Sequence, residues 1–178
     1  MERGIGEAAK IVGEKFEKGE IFLVFLIQAG DAMMAALSEL LKAIPKGEVP
    51  TRGKVVIGTV QGDIHEIGKN VVAALLTANG FEVHDLGVDV PPMKFIEEAE
   101  KVGADVIAAS ALMTSTIGVQ KDIVSLLESL GLREKYSVVV GGGATTAEWA
   151  EEIGADGWAE TAIEGVKVIS RLVEAKRK

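Results

Sequence analysis

The amino-acid sequence predicts an α/β protein. Its larger part is a doubly wound parallel sheet of five strands, and a short helical segment precedes it. Three observations carry this expectation. From Lys54 onward, short and almost wholly apolar runs alternate with stretches of helical periodicity, the pattern of a parallel sheet covered on both faces. The tripeptides "ANG", "KVG", "SLG" and "EIG" close four of those stretches with glycine, the residue that best accepts a left-handed helix cap. Residues 1–44 show helical spacing with no strand punctuation.

In chain order, "EAAKIVGEKFEKG" puts Ala9, Val12 and Phe16 at helical spacing. The next stretch, "EIFLVFLIQAGDAMMAALSELLKAI", is apolar on nearly every face, as in a helix buried within a bundle or against a partner. "PKGEVPTRGK" reads as a linker, with two prolines and two glycines. The boundary is therefore expected at residue 49, with helices and linker over 1–49 and the α/β domain over 50–178. The strands read "KVVIGTV", "FEVHDLG", "DVIAASA", "SVVVGG" and a weak "DGWAE". Helices are expected over 66–79, 92–102, 117–130, 145–153 and 161–176. Five such βα units make a flavodoxin-like domain, whose ligands bind at the carboxyl ends of the strands.

Composition narrows the function classes. The chain has 178 residues, of which 48% are hydrophobic and 26% charged, enough for a sizeable core under a polar surface. A net charge of −8 opposes binding to a nucleic-acid backbone. The sequence holds no cysteine, which excludes a disulfide framework and thiolate metal sites. It opens with no signal-peptide apolar region, and the uncharged run from Ile21 to Gly30 is too short to span a bilayer. A cytoplasmic location, with no membrane contact, is the simplest expectation.

The unusual loops all fall on the carboxyl edge of the predicted sheet: "QGDIHEIG" after the first strand, "SALMTST" after the third, "GGGATT" after the fourth. Together they describe a polar-rimmed cleft, although each alone could be an ordinary βα turn. In the first, "GDIHEIGKN" is not a phosphate-binding P-loop. Five residues separate Gly62 from Gly68, Asn70 stands where Ser or Thr is required, and Asp63 and Glu66 would repel phosphate. A zinc or non-haem iron site needs three or four protein ligands, and the only other histidine, His84, sits inside the second strand. His65 with Asp63 and Glu66 could hold a hard metal weakly, or His65 could be a satisfied structural residue. A metal that brings four equatorial nitrogens in a macrocycle needs only one imidazole. Asp63 is then the carboxylate that orients the ring, and the flanking glycines let a flat group approach the backbone.

"DIHEIG" is similar to the Asp-x-His-x-x-Gly signature of cobalamin-binding domains. "SAL" (Ser110 to Leu112) and the pair Gly142–Gly143 match that family's second and third motifs in order and spacing. The resemblance extends to the cobalamin-binding module of methionine synthase. It implies that His65 is the lower axial ligand of cobalt, replacing the cofactor's own base, with Asp63 as its hydrogen-bond partner. Thr116 stands where methionine synthase has a serine that completes this relay. By the same carry-over, Gly62, Ile64, Glu66 and Gly68 belong to the cofactor-binding loop. Ser110 and Leu112 line a tunnel for the nucleotide tail, Thr114 lies close to corrin or tail, and Gly142 and Gly143 give the tail room.

The N-terminal "VGEKFEKGEIFL…AGDAMMAAL" resembles the second half of the helical cap in corrinoid proteins of methylamine, methanol and methoxy-aromatic methyltransferase systems. That cap usually has four helices, so residues 1–49 look truncated: either the start is late or another chain completes it. What the resemblance implies is a methyl carrier, non-catalytic alone, with cobalamin or a related corrinoid as cofactor. Its partners would be a substrate-specific methyltransferase, a methylcorrinoid-dependent methyltransferase with a thiol or tetrahydrofolate acceptor, and a reductive activase. The cap would cover the upper face of the corrinoid, and the apolar helix implies a homodimer through residues 1–44. The alternatives are the small subunit of an adenosylcobalamin-dependent mutase, which should lack the cap, and a cobalamin-dependent sensor, which should carry a DNA-binding region.

Overall fold

The computed structural model describes residues 8, 11, 12, 15, 16, 18–42 and 51–177. The chain divides into two compact units, residues 1–48 and 49–178. In the first, α1 (Leu23–Lys42) falls within the expected apolar helix. Phe22, just before it, is 78% exposed, and Val24 and Phe25 in its first turn are 53% exposed each. Residues 8, 11, 12, 15 and 16 are helical. Much of the expected helix over 7–19, and residues 45–50 of the expected linker over 45–54, lie outside the described residues.

The second unit alternates strand and helix throughout: β1 (Lys54–Thr59), α2 (Ile67–Ala78), β2 (Glu82–Asp85), α3 (Pro92–Val102), β3 (Val106–Ser110), α4 (Gly118–Ser129), β4 (Ser137–Gly141), α5 (Ala147–Glu152), β5 (Gly157–Ala159) and α6 (Ala162–Lys176). The strands pair in the order β2-β1-β3-β4-β5, all parallel. The expected fold is the one observed. The four expected cap glycines, Gly80, Gly103, Gly131 and Gly154, all have positive φ. α6 starts at a capping box, in which Thr161 accepts from the Glu164 amide and the Glu164 carboxylate accepts from the Thr161 amide.

Strand alternation sorts the apolar residues between two layers. Val56, Ile107, Ala109, Val138 and Val140 face α3, α4 and α5, where Phe95, Ile123 and Leu127 are fully buried. Val55, Ile57, Val106, Ala108 and Val139 face α2 and α6, against Leu76, Ile169 and Val173. Each valine, leucine, isoleucine or phenylalanine side chain so removed from water stabilises the fold by about 1.5–3 kcal/mol. Because β1 and β3 are neighbours while β2 lies on the far side of β1, the connections after β1 and β3 leave toward opposite faces. A crevice opens between them at their carboxyl ends.

Candidate functional site

Asp63 occupies that crevice. Its side chain has no solvent exposure, so its carboxylate must be satisfied from within the protein. Oδ1 accepts from the backbone amide of His65 at 3.0 Å and faces the ring Nδ1 of His65 at 2.7 Å. Oδ2 accepts from the amides of Leu112 at 2.8 Å and Met113 at 3.3 Å, and from the Thr116 hydroxyl at 3.1 Å. Burial alone would raise the Asp63 pKa. Hydrogen bonds from the His65 amide and ring, the Leu112 amide and the Thr116 hydroxyl outweigh it, and bring the pKa from the usual 3.8 down to about 2. The group is therefore a carboxylate at neutral pH.

An ionised carboxylate can only accept, so Nδ1 of His65 carries a proton, and in the neutral ring Nε2 is the nitrogen with the lone pair. The His65 side chain is 49% exposed, while its carbonyl is fixed by the Thr59 hydroxyl at 3.0 Å. Thr59 is wholly buried at the end of β1. The Thr116 hydroxyl also reaches the Met113 carbonyl at 2.9 Å. With one proton for two acceptors, it donates to one of them at a time.

The loops meet as their positions in the sheet dictate. Ser110 ends β3 in register with Thr59 and Gly141, and its carbonyl accepts from the Val60 amide. Leu112 and Thr114 are exposed on the loop that follows. Gly142 has φ +111, and a Cβ there would fall 2.1 Å from the carbonyl oxygen of Ala111. The loops after β3 and β4 thus approach peptide to peptide. Gly142 is required by that approach, a reason the sequence does not display. A Cβ at Gly143 would meet only the tip of the Leu112 side chain, at 2.8 Å. Gly62 has φ +83, Ile64 is 72% exposed beside His65, and Glu66 and Gly68 stand at the first turn of α2.

Several supporting residues carry no signal in the sequence. Gln120, fully buried, donates to the carbonyls of Ala109 at 2.9 Å and Gly141 at 3.2 Å and accepts from Trp149 Nε1 at 3.0 Å. Thr145 donates to the Gly142 carbonyl and accepts from Trp158 Nε1 at 3.2 Å. Lys69, with a side chain 1% exposed, is clamped between Asp85 and Asn70. Gly62 and Asp63 are held in turn by Asp89 in the β2–α3 connection.

This donor set suits one kind of metal group. Among the described residues, no cluster of three or more His, Cys, Asp or Glu side chains could hold a metal ion by itself. His84 lies in β2, with Nε2 on Glu82 at 2.8 Å. A half-exposed imidazole with its tautomer fixed by a buried carboxylate offers a single nitrogen, which fits a metal whose other positions are filled by its own macrocycle.

The comparisons with known proteins agree. A profile of the B12 binding domain matches residues 53–167, and a second B12 binding domain profile matches residues 1–41. The dimethylamine corrinoid protein of Methanosarcina barkeri is 45% identical over 174 residues, covering 97% of this chain and 82% of that one. The solved monomethylamine corrinoid protein of Methanosarcina barkeri superposes with a TM-score of 0.86 at 40% identity, over 95% of this chain and 80% of that one. A chain of the methanol:cobalamin methyltransferase complex from the same organism gives a TM-score of 0.66 at 32% identity, over 93% of this chain and 63% of that one. The chain belongs to the family of B12-binding corrinoid proteins.

Proposed function

We propose that this chain binds a corrinoid and carries a methyl group on its cobalt. The methyl would come from a substrate-specific methyltransferase and pass to a second methyltransferase with a thiol or tetrahydrofolate acceptor. The carrying observation is the Asp63–His65 pair, which leaves one imidazole nitrogen available and its tautomer fixed. When bound, the corrinoid supplies the cobalt nucleophile; the protein binds it, orients it and tunes its electronics. His65 Nε2 is the nitrogen that would hold the cobalt. Asp63 would hold the Nδ1 proton of the ring and so keep Nε2 turned toward the metal. Ser110, Leu112, Thr114, Gly142 and Gly143 would receive the nucleotide tail, and Gly62, Ile64, Glu66 and Gly68 belong to the loop that would hold the ring. The names of the relatives favour a methylated amine as the upstream donor and a methyltransferase as partner. A reductive activase that restores the carrier is part of the same proposal.

The test is reconstitution with hydroxocobalamin and electron paramagnetic resonance of the cobalt(II) form. Equimolar uptake is expected, with nitrogen superhyperfine splitting from His65. His65→Ala should keep the corrinoid through its tail contacts and lose the splitting. Splitting that persists in His65→Ala would transfer the ligand role to His84 or to the cofactor's own base, and absence of uptake would end the reading. Among the described residues no helix is long and apolar enough to cross a membrane, and we place the protein in the cytoplasm. Self-association through residues 1–44 belongs to the same reading. The exposure of Phe22, Val24 and Phe25 supports it, and sedimentation as a monomer at micromolar concentration would overturn it.

A further inference from the structure

Asp89 is the only non-glycine with positive φ among the described residues, at 54°. It lies in the β2–α3 connection, outside the three motif-bearing loops. The connection is laid along the end of β1: the Thr59 amide donates to the Gly87 carbonyl, the Val90 amide to the Thr59 carbonyl, and Val60 bridges Val90. In the middle of this pairing Asp89 turns toward the His65 loop and grips it twice. Its carboxylate Oδ1 accepts from the Gly62 amide at 2.7 Å. Its own amide donates to the Asp63 carbonyl at 3.0 Å.

A left-handed non-glycine persists where its surroundings over-determine it. Packing is not what determines this one, because Asp89 is exposed. Glycine would be the sterically free occupant of such a position. What aspartate adds is an acceptor, and the acceptor is spent on the Gly62 amide. The two contacts hold the N–H before and the carbonyl after the link between Gly62 and Asp63, and so fix the backbone from which the Asp63 carboxylate projects.

We infer that Asp89 is a positioning residue for the metal-ligating histidine: it locks the Gly62–Asp63 turn, and through Asp63 it sets where His65 Nε2 points. This rests on the reading of His65 as the cobalt ligand. Orientation of a ligating histidine through its supporting contacts typically changes metal coordination by about 10–100-fold, and Asp89 acts one contact further out, so the lower end applies.

The experiment compares Asp89→Ala, Asp89→Gly and Asp89→Asn with the wild-type full chain. In the apoprotein, the Gly62 amide should exchange faster in the Ala and Gly variants and stay protected in the Asn variant, which keeps an acceptor and tolerates the left-handed backbone. Loaded with hydroxocobalamin and reduced to cobalt(II), the Ala and Gly variants should show a ratio of nitrogen-coordinated to free histidine about tenfold lower. The pH at which the histidine is released should rise by about one unit, because a proton competes better for a loosened nitrogen. Corrinoid uptake should stay near that of the wild type, and Asp89→Asn should restore coordination and release pH together. The Gly variant removes both side chain and strain, so it gives a folded comparison even where Ala does not. Wild-type splitting left unchanged in the Gly variant overturns this inference alone. Absence of nitrogen splitting in the wild type overturns it together with the ligand reading.

Discussion

In the loop after β1, a buried carboxylate collects donors from its own loop and from the loop after β3. In the loop after β4, at the same edge of the same sheet, residues 142–146 include no charged side chain, and Gly142 presses its backbone against the Ala111 peptide. The first arrangement is electrostatic and directional, so it responds to a proton, a donor or a change of charge. The second is steric and responds to volume. A corrinoid site needs both. On the proposed reading, one region orients the His65 nitrogen, and the other keeps two loops at a set separation. Substitutions at the two regions should therefore fail in different ways.

The largest effect belongs to the steric side. Gly142→Ala places a Cβ 2.1 Å from a backbone oxygen that cannot swing aside. Denaturant titration should show a loss of about 3 kcal/mol or more, with corrinoid uptake lost as well. A variant of wild-type stability would mean that the two loops separate freely, and the contrast would break.

Asp63→Asn comes next and sharpens the electrostatic side. The folded pKa of Asp63 lies below the usual 3.8, at about 2. Its contribution to stability is therefore fully present above pH 3.8 and is lost as the pH falls through about 2. Each tenfold difference in proton affinity between the folded and unfolded chain is worth about 1.4 kcal/mol, so the asparagine variant should be about 2 kcal/mol less stable at neutral pH. Urea titrations of the two apoproteins should converge as the pH falls through that window. A gap that is independent of pH would show that the variant is weakened by shape and not by charge.

Gln120→Leu removes the amide that joins Ala109, Gly141 and Trp149. It should cost about 1–2 kcal/mol by leaving buried groups unpaired, without altering the cobalt(II) spectrum of the loaded protein. Gly143→Ala should be mildest, under about 1 kcal/mol in stability, because its neighbour is the flexible end of Leu112. Its effect should appear in corrinoid affinity, measured by spectral titration, since Leu112 must move.

The same division explains what the sequence discloses. The strands are legible because burial on both faces leaves nearly unbroken apolar runs, and the helix ends are legible because Gly80, Gly103, Gly131 and Gly154 mark left-handed caps locally. Asp63 and His65 are two residues apart, so their pairing is a short-range fact that a motif can record. Thr116 has only its place after the second motif to announce it. Thr59, Asp89 and Gln120 announce nothing. Asp89 reads as an ordinary turn residue in "GVDVPP" until β2 is laid beside β1 and the connection is drawn along Val60. Gln120 sits within a helix whose pattern says only which face is buried. Gly142 is visible as a glycine, but its reason is the Ala111 peptide from a different βα unit. Long-range register decides Asp89, Gln120 and Gly142.

The indole contacts under β3 and β4 have an optical consequence. The chain has two tryptophans. Trp149 is tied to Gln120 beneath Ala109 and Gly141, and Trp158 to Thr145 beside Gly142. Nearly all ultraviolet emission of the molecule thus originates at one edge of one sheet. A strongly coloured ligand settling there would drain that emission by energy transfer, so occupancy could be followed as dimming of an unlabelled protein. Replacing the tryptophans by phenylalanine one at a time would then show which lamp is shaded first as the ligand enters.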